Sequence, residues 1–174
     1  MKTIKYYSTN LNAEHVSFKD ALLKGLAPDG GLYMPDSIPE FNNKELAGFS
    51  DMEYHEIAFQ ILWKFLAGEI IEDDLRKIVE DAYDFHLPLE KIYERKYVIR
   101  LDGGPTASFK DFAARLMGRL MHYYLTRDKK KILILTATSG DTGSAIANAF
   151  FNLDHHWRHP RFGSPLSQPE GGIG

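Results

Sequence analysis

The tetrapeptide Ser-Phe-Lys-Asp occurs twice in the chain, at residues 17–20 and 108–111, and each copy places a lysine near the start of a predicted helix. Ser-x-x-Asp before an apolar run is typical of a helix N-terminus, where the serine hydroxyl accepts a backbone N–H and the acid reaches back to the cap. On that interpretation Lys19 and Lys110 have no chemical role. Beside a ligand cleft, however, the helix dipole and the exclusion of water favour the neutral amine, which forms an imine with an aldehyde.

The surroundings of the two lysines favour Lys110. The run "KYVIRL" predicts a strand at 96–101 before it, and "KKILILTAT" predicts a second strand at 130–138, buried on both faces. Ligands in α/β folds bind beyond the carboxyl ends of parallel strands, so the loops after these two strands are expected to open at one edge of a sheet. No comparable strand precedes Lys19, which is expected to be a solvated helix lysine.

The loop after the second predicted strand is suited to an anion. Its sequence is Ser139-Gly140-Asp141-Thr142-Gly143. The two glycines let the backbone approach a ligand, the serine and threonine offer hydroxyls, and the following helix offers free N–H groups. The alternative is a capped helix behind a glycine turn, because the loop is neither a P-loop nor a G-x-G-x-x-G motif.

Helical and strand patterns divide the chain into two parts. The first 95 residues are mainly helical, with helices predicted at 17–26, 51–66 and 72–85, a short strand at 3–8 and a turn-rich loop at 26–39. The second part alternates strand and helix, with a long helix at 109–125 and a small-residue helix after the Gly-rich loop. This alternation predicts an α/β fold with a parallel sheet and crossover helices.

The last residues do not continue this pattern. Residues 153–174 are rich in Pro and Gly and are expected to form an atypical, disordered tail. They contain His155, His156 and His159, but no carboxylate pattern accompanies these histidines, so no metal site is predicted.

Composition excludes several classes of protein. The 174 residues carry a net charge of −3, with no clustering of Lys and Arg of the kind that binds nucleic acid. There is no cysteine and therefore no disulfide framework. No segment is long and apolar enough to predict a membrane span, and the N-terminus lacks a signal peptide, so we expect a cytoplasmic protein. The sequence does not indicate an oligomeric state.

The motifs "GGPTASFKDFAAR" and "LTATSGDTGSAIANAF" resemble those of threonine synthases, which are pyridoxal-phosphate enzymes of fold-type II. The segment "VSFKDALLKGLAPDGGLYMP" resembles the N-terminal segment of the same family, and the resemblance covers about residues 1–152. It implies an N-terminal region at 1–95 and an incomplete pyridoxal-phosphate domain at 96–152. It also implies that Lys110 carries pyridoxal 5'-phosphate as a Schiff base and that Asp141 lies at the cofactor ring. Ser139, Gly140, Thr142 and Gly143 would contact the substrate.

The reaction implied by this resemblance converts O-phospho-L-homoserine and water to L-threonine and phosphate, with Lys110 moving protons at the α and β carbons. Related pyridoxal enzymes usually have Asn in place of Asp141, and the acid is in keeping with threonine synthases. Family members have two motifs further along their sequence: a loop that binds the cofactor phosphate and a hydroxyl residue that partners the pyridine nitrogen. Neither motif is found in this sequence, which is the pattern expected of a truncated or frame-shifted product. The chain alone is therefore expected to be inactive.

Two alternatives remain open from the sequence. One is another fold-type II lyase acting on a phosphorylated or hydroxy amino acid, such as a phospho-lyase or a threonine dehydratase. The other is a non-catalytic truncated fragment that keeps the anion loop but performs no turnover.

Overall fold

The computed structural model describes residues 3–151 and 153. Within this part of the chain there are six α-helices, one 3₁₀ helix and two small antiparallel sheets. In chain order the elements are β1 (Tyr6–Ser8), α1 (Phe18–Lys24), β2 (Tyr33–Pro35), α2 (Asn43–Gly48), the 3₁₀ helix (Phe49–Asp51), α3 (Tyr54–Leu66), α4 (Glu72–Ala82), β3 (Leu89–Tyr93), β4 (Lys96–Ile99), α5 (Lys110–Asp128) and α6 (Asp141–Phe150).

The main hydrophobic core lies where α3, α4 and α5 pack together. Its centre is formed by Leu66, Leu75 and Val79, whose side chains are fully buried, and by Leu120 and Tyr124 from α5. Helical spacing of these apolar residues explains why the predicted helices are present. The core joins residues from both sides of the proposed boundary at 95/96, and the division into 1–95 and 96–152 stays a prediction.

The N-terminal segment is attached to this core through α1. Strand β1 pairs antiparallel with β2, and the ring of Phe18 lies 5.7 Å from that of Tyr6 and 6.3 Å from that of Tyr124. The expected strand at 3–8 and helix at 17–26 are thus present. Lys19 is not the solvated lysine that the sequence suggested, because its Nζ donates to Asp128 at the end of α5, at 2.6 Å.

The predicted parallel sheet is not present in the described residues. The "KYVIRL" segment forms β4, but β4 pairs antiparallel with β3, a strand that the sequence reading did not predict. Both strands of this hairpin are exposed along their length. A hairpin forms here because the intervening residues, Glu94 (φ 48°) and Arg95, make a tight turn that returns the chain alongside β3.

The segment 130–138 is also not the buried strand that its composition predicts. Its residues belong to no strand, and the side chains of Leu133 and Leu135 are 80% and 85% exposed. A strand that is buried on both faces needs neighbours on each side, and the part of the chain that the structure describes supplies none here. The observed architecture is therefore a mixed α/β arrangement of helices and two small antiparallel sheets.

Apart from Leu153, the expected tail at 153–174, including His155, His156 and His159, lies outside the described residues. Within residues 3–151 and 153, no helix combines the length and the apolar composition needed to cross a membrane.

Candidate active site

Helix α5 begins at Lys110, and the chain enters it through an unusual loop. Ala107 has a left-handed backbone (φ 53°), and its N–H donates to the carbonyl of Gly104 at 3.0 Å. The N-cap of the helix is Phe109, which has no capping side chain. Instead, the Ser108 hydroxyl accepts the N–H of Lys110 at 3.3 Å. The start of α5 is therefore not an ordinary Ser-capped helix.

Asp111, in the first turn of α5, is fully buried. Its carboxylate accepts the backbone N–H of Thr106 at 2.8 Å and the hydroxyl of Thr106 at 2.6 Å. The capping-box interpretation is therefore wrong for the second copy of the tetrapeptide. The serine cap is present in the first copy, because Ser17 is the N-cap of α1 and accepts the N–H of Asp20 at 3.1 Å, while the Asp20 carboxylate accepts the Ser17 hydroxyl.

A face of small residues on α5 brings α6 close. This face includes Ala114 and Gly118, and it packs against Ala145 and Ala149 of α6. A side chain at Gly118 would place its Cβ only 3.0 Å from the carbonyl oxygen of Ala149. The close crossing of the two helices places the N-terminus of α6 beside Lys110, without the sheet that the sequence predicted.

The loop before α6 wraps around one threonine. The Thr138 hydroxyl accepts the N–H groups of Gly140 at 3.1 Å and Gly143 at 3.2 Å. Gly140 has φ 142°, and a Cβ on Gly143 would overlap the methyl group of Thr138, so both positions require glycine. An anion that used these two N–H groups would therefore have to displace the Thr138 hydroxyl.

Lys110 and Asp141 are in direct contact. The Lys110 Nζ donates to Asp141 Oδ2, and the two side chains are 29% and 58% exposed. The hydrogen bond from Lys110, aided by the N–H of Thr142, lowers the pKa of the Asp141 carboxyl below its usual value. The exposed ring of Phe109 also lies near the amine, with its centroid 4.5 Å from Nζ.

The structure thus brings Lys110 together with the Gly-rich loop of the sequence analysis. Asp141 makes the contact, and the other four candidate residues flank it along the loop: Ser139, Gly140, Thr142 and Gly143. Their roles toward a cofactor and a substrate stay predictions. Among the described residues, no cluster of three His, Asp or Glu side chains has the arrangement of a metal site.

Sequence reasoning missed Arg115, which holds α5 against the end of α4. Its buried guanidinium donates to the carbonyl oxygens of Ala82 at 2.7 Å and Asp81 at 2.8 Å, and to the carboxylate of Asp84 at 2.6 Å. A signal was available, because Arg115 lies four residues after Asp111 and three before Gly118, next to Ala114. That stripe of small and charged residues marks a second buried face of α5.

Comparison with known proteins finds sequence similarity to threonine synthases. Residues 5–83 match the family model described as "Threonine synthase N terminus". The threonine synthase of Pseudomonas aeruginosa is 43% identical over 157 residues, a match that covers 87% of this chain and 34% of that protein. By sequence, the chain is homologous to the N-terminal third of threonine synthases.

Solved threonine synthase structures give the same result. The crystal structure of pyridoxal-phosphate-bound threonine synthase from Brucella melitensis superposes with a TM-score of 0.82 at 40% identity, over 85% of this chain and 33% of that chain. The Escherichia coli threonine synthase structure gives a TM-score of 0.76 at 35% identity, over 84% of this chain and 34% of that one. The chain therefore spans about a third of the length of the threonine synthases that it matches.

Proposed function

We propose that this chain contributes the lysine-bearing part of a threonine synthase that acts on O-phospho-L-homoserine. The observation that carries the proposal is the contact of Lys110 with Asp141, where α5 meets the Gly-rich loop, in a chain 40% identical to a pyridoxal-phosphate-bound threonine synthase. A cytoplasmic location is part of this proposal, and the absence of cysteine from the sequence is in keeping with a reducing compartment.

The residues at this site fit the aldehyde and the aromatic ring of such a cofactor. Lys110 offers a partly exposed amine, and Phe109 offers an exposed aromatic ring beside it. When bound, pyridoxal phosphate supplies an electron sink that stabilises negative charge at the substrate carbons. The amine that holds the cofactor would be Lys110, and Asp141 would lie at the cofactor ring.

Each protein group has a defined task in this proposal. Lys110 would move a proton at the α and β carbons of the substrate. Asp141 orients the amine through the contact described above. Ser139 and Thr142 supply hydroxyls for the substrate carboxylate, and this carboxylate takes the N–H groups of Gly140 and Gly143 once it displaces the Thr138 hydroxyl. The comparisons favour a threonine synthase over a related phospho-lyase or dehydratase. The relatives and solved structures described above are all threonine synthases.

The chain alone is proposed to be inactive. The hairpin β3–β4 is open to solvent, and the apolar segment 130–138 has no neighbouring strand among the described residues. A cleft built on such a partial framework cannot exclude water from the reacting atoms. Purified 174-residue protein is expected to release no more phosphate from O-phospho-L-homoserine than its Lys110→Ala variant does.

A chimera tests the function of this part directly. Residues 1–151 would be joined to the remaining, C-terminal part of the Pseudomonas aeruginosa threonine synthase, whose N-terminal third is 43% identical. The chimera should release phosphate and form threonine, Lys110→Ala should abolish both, and Lys19→Ala should preserve both. Activity in the Lys110→Ala chimera, or loss of activity in a folded Lys19→Ala chimera, would refute the assignment.

A further inference from the structure

The loop before Lys110 rests on the side chain of Asp111. Both carboxylate oxygens of Asp111 are used by one residue, because Oδ2 accepts the N–H of Thr106 and Oδ1 accepts its hydroxyl. Gly104 packs directly on the same side chain, and a Cβ at that position would lie 2.8 Å from the Cβ of Asp111. The carboxylate is thus enclosed by the loop that leads into α5.

This arrangement fixes the rotation of the first turn of α5. Successive residues of an α-helix point about 100° apart, so a buried Asp111 determines the direction of Lys110. Lys110 then points toward the N-terminus of α6, where its Nζ meets Asp141. The N-cap Phe109 contributes no capping side chain, so Asp111 is the acid that ties this turn to the preceding loop.

The first copy of the tetrapeptide shows that the sequence alone does not impose this role. Asp20 is exposed, and its carboxylate accepts the hydroxyl of Ser17 at 3.1 Å. Lys19, which precedes it, is held instead by Asp128 from the far end of α5. The same four residue types therefore begin an ordinary Ser-capped helix at 17–20, whereas at 108–111 they place a buried aspartate that binds the preceding loop.

We propose that Asp111 is the positioning residue for Lys110, through its two hydrogen bonds to Thr106. The catalytic meaning of this role rests on the proposed function, but the positioning itself is independent of any cofactor. Loss of the two hydrogen bonds between Asp111 and Thr106 should let the first turn of α5 rotate and separate the Lys110 amine from Asp141. The ion pair of Lys19 and Asp128 should remain.

Zero-length coupling with a carbodiimide measures the two ion pairs in one experiment on the 174-residue chain. An amide forms between the lysine Nζ and the aspartate carboxyl, and the carbodiimide takes up the water that is lost and becomes a urea. Peptide mapping would give the yield of the Lys110–Asp141 product relative to the Lys19–Asp128 product. The second pair, with its 2.6 Å contact, serves as the internal reference.

Asp111→Ala is expected to lower this ratio about tenfold, because two hydrogen bonds to a buried carboxylate are lost. Thr106→Val should lower it in the same direction, whereas Thr106→Ser keeps the hydroxyl and should stay close to the wild-type ratio. Asp111→Asn should also stay close to it, since an amide can accept the N–H of Thr106 and donate to its hydroxyl. Asp20→Ala, the matched change in the other tetrapeptide, should leave both products unchanged.

Two results would overturn the proposal: an unchanged ratio in both Asp111→Ala and Thr106→Val, or an equal fall of both products in these variants. The second result would show that Asp111 supports the whole fold and does not direct Lys110. Borohydride trapping of pyridoxal phosphate on the chimera of residues 1–151 with the Pseudomonas aeruginosa C-terminal part separates the two hypotheses. If Lys110 is not labelled in preference to Lys19 in that chimera but the coupling ratio falls as expected, the proposed function fails and the positioning role stands.

Discussion

Arg115 offers a quantitative test of how α4 and α5 are held together, through its replacement by methionine. Methionine keeps an unbranched apolar stem but removes the donors to the carbonyl oxygens of Ala82 and Asp81. Ala82 is fully buried, so its carbonyl loses its partner without access to water, whereas that of Asp81 lies nearer the surface. An unpaired buried acceptor costs about 1–3 kcal/mol, and with a smaller cost at Asp81 we expect a loss of about 2–3 kcal/mol.

Arg119→Met is the matched control, one turn along the same helix. Arg119 also pairs with an acid of α4, the carboxylate of Asp81; the Arg119 side chain is 11% exposed, but that carboxylate is 62% exposed. Because water can solvate this carboxylate once the guanidinium is removed, we expect a loss of about 1 kcal/mol, smaller than that for Arg115→Met. Urea unfolding followed by circular dichroism should therefore show a clearly lower midpoint for Arg115→Met than for Arg119→Met, with the same m-value for both.

The thermal midpoints should follow the same order. A loss of 2–3 kcal/mol corresponds to a fall of about 5–10 °C for a chain of this size. Equal midpoints for Arg115→Met and Arg119→Met would refute the reasoning, because they would show that the α4 carbonyls find other partners once the guanidinium is removed.

Three further outcomes are expected. Lys110→Met should raise the pKa of Asp141 toward its ordinary value of about 3.9 in an NMR titration, because the hydrogen bond from the Lys110 amine is the main cause of the lowered pKa. In the wild-type chain, the stability that this pair contributes is fully present above the ordinary pKa and is lost as the pH falls through the lowered pKa of Asp141. An unchanged titration would contradict the contact. Leu133→Lys with Leu135→Lys should reduce self-association in light scattering at unchanged helix content, since both side chains are exposed. Leu75→Ala should cost about 2–5 kcal/mol in urea unfolding, and a smaller loss would mean that the core collapses around the gap.

The helices were predictable because their signals are local. Apolar residues at helical spacing indicated α3 and α4, and Ser17 indicated the start of α1. The sequence also predicted that Lys110 would lie near the Gly-rich loop, but for the wrong structural reason. The sequence suggested a shared sheet edge, whereas the close packing of α5 on α6 produces the contact.

The predictions that failed depend on distant residues. The segment 130–138 has the composition of a buried strand, but composition does not supply the neighbouring strands that would make it one. The tetrapeptide at 108–111 has the pattern of a helix cap, but the buried site of Asp111 depends on Thr106 and Gly104, which lie outside that pattern. Short-range patterns thus predicted elements better than they predicted partners.

The ion pair between Lys19 and Asp128 has a consequence for the timing of synthesis, because its two residues are 109 positions apart. At a translation rate of about 5–20 residues per second, about 5–20 s pass between the synthesis of α1 and that of its partner at the end of α5. A similar time separates the synthesis of Phe18 from that of Tyr124, whose ring it contacts. During that interval the nascent N-terminal segment has its contacts with Phe65 and Glu69 but lacks the part of its docking surface that α5 supplies. The segment is therefore more accessible to chaperones and proteases until the helix that starts at Lys110 has been made.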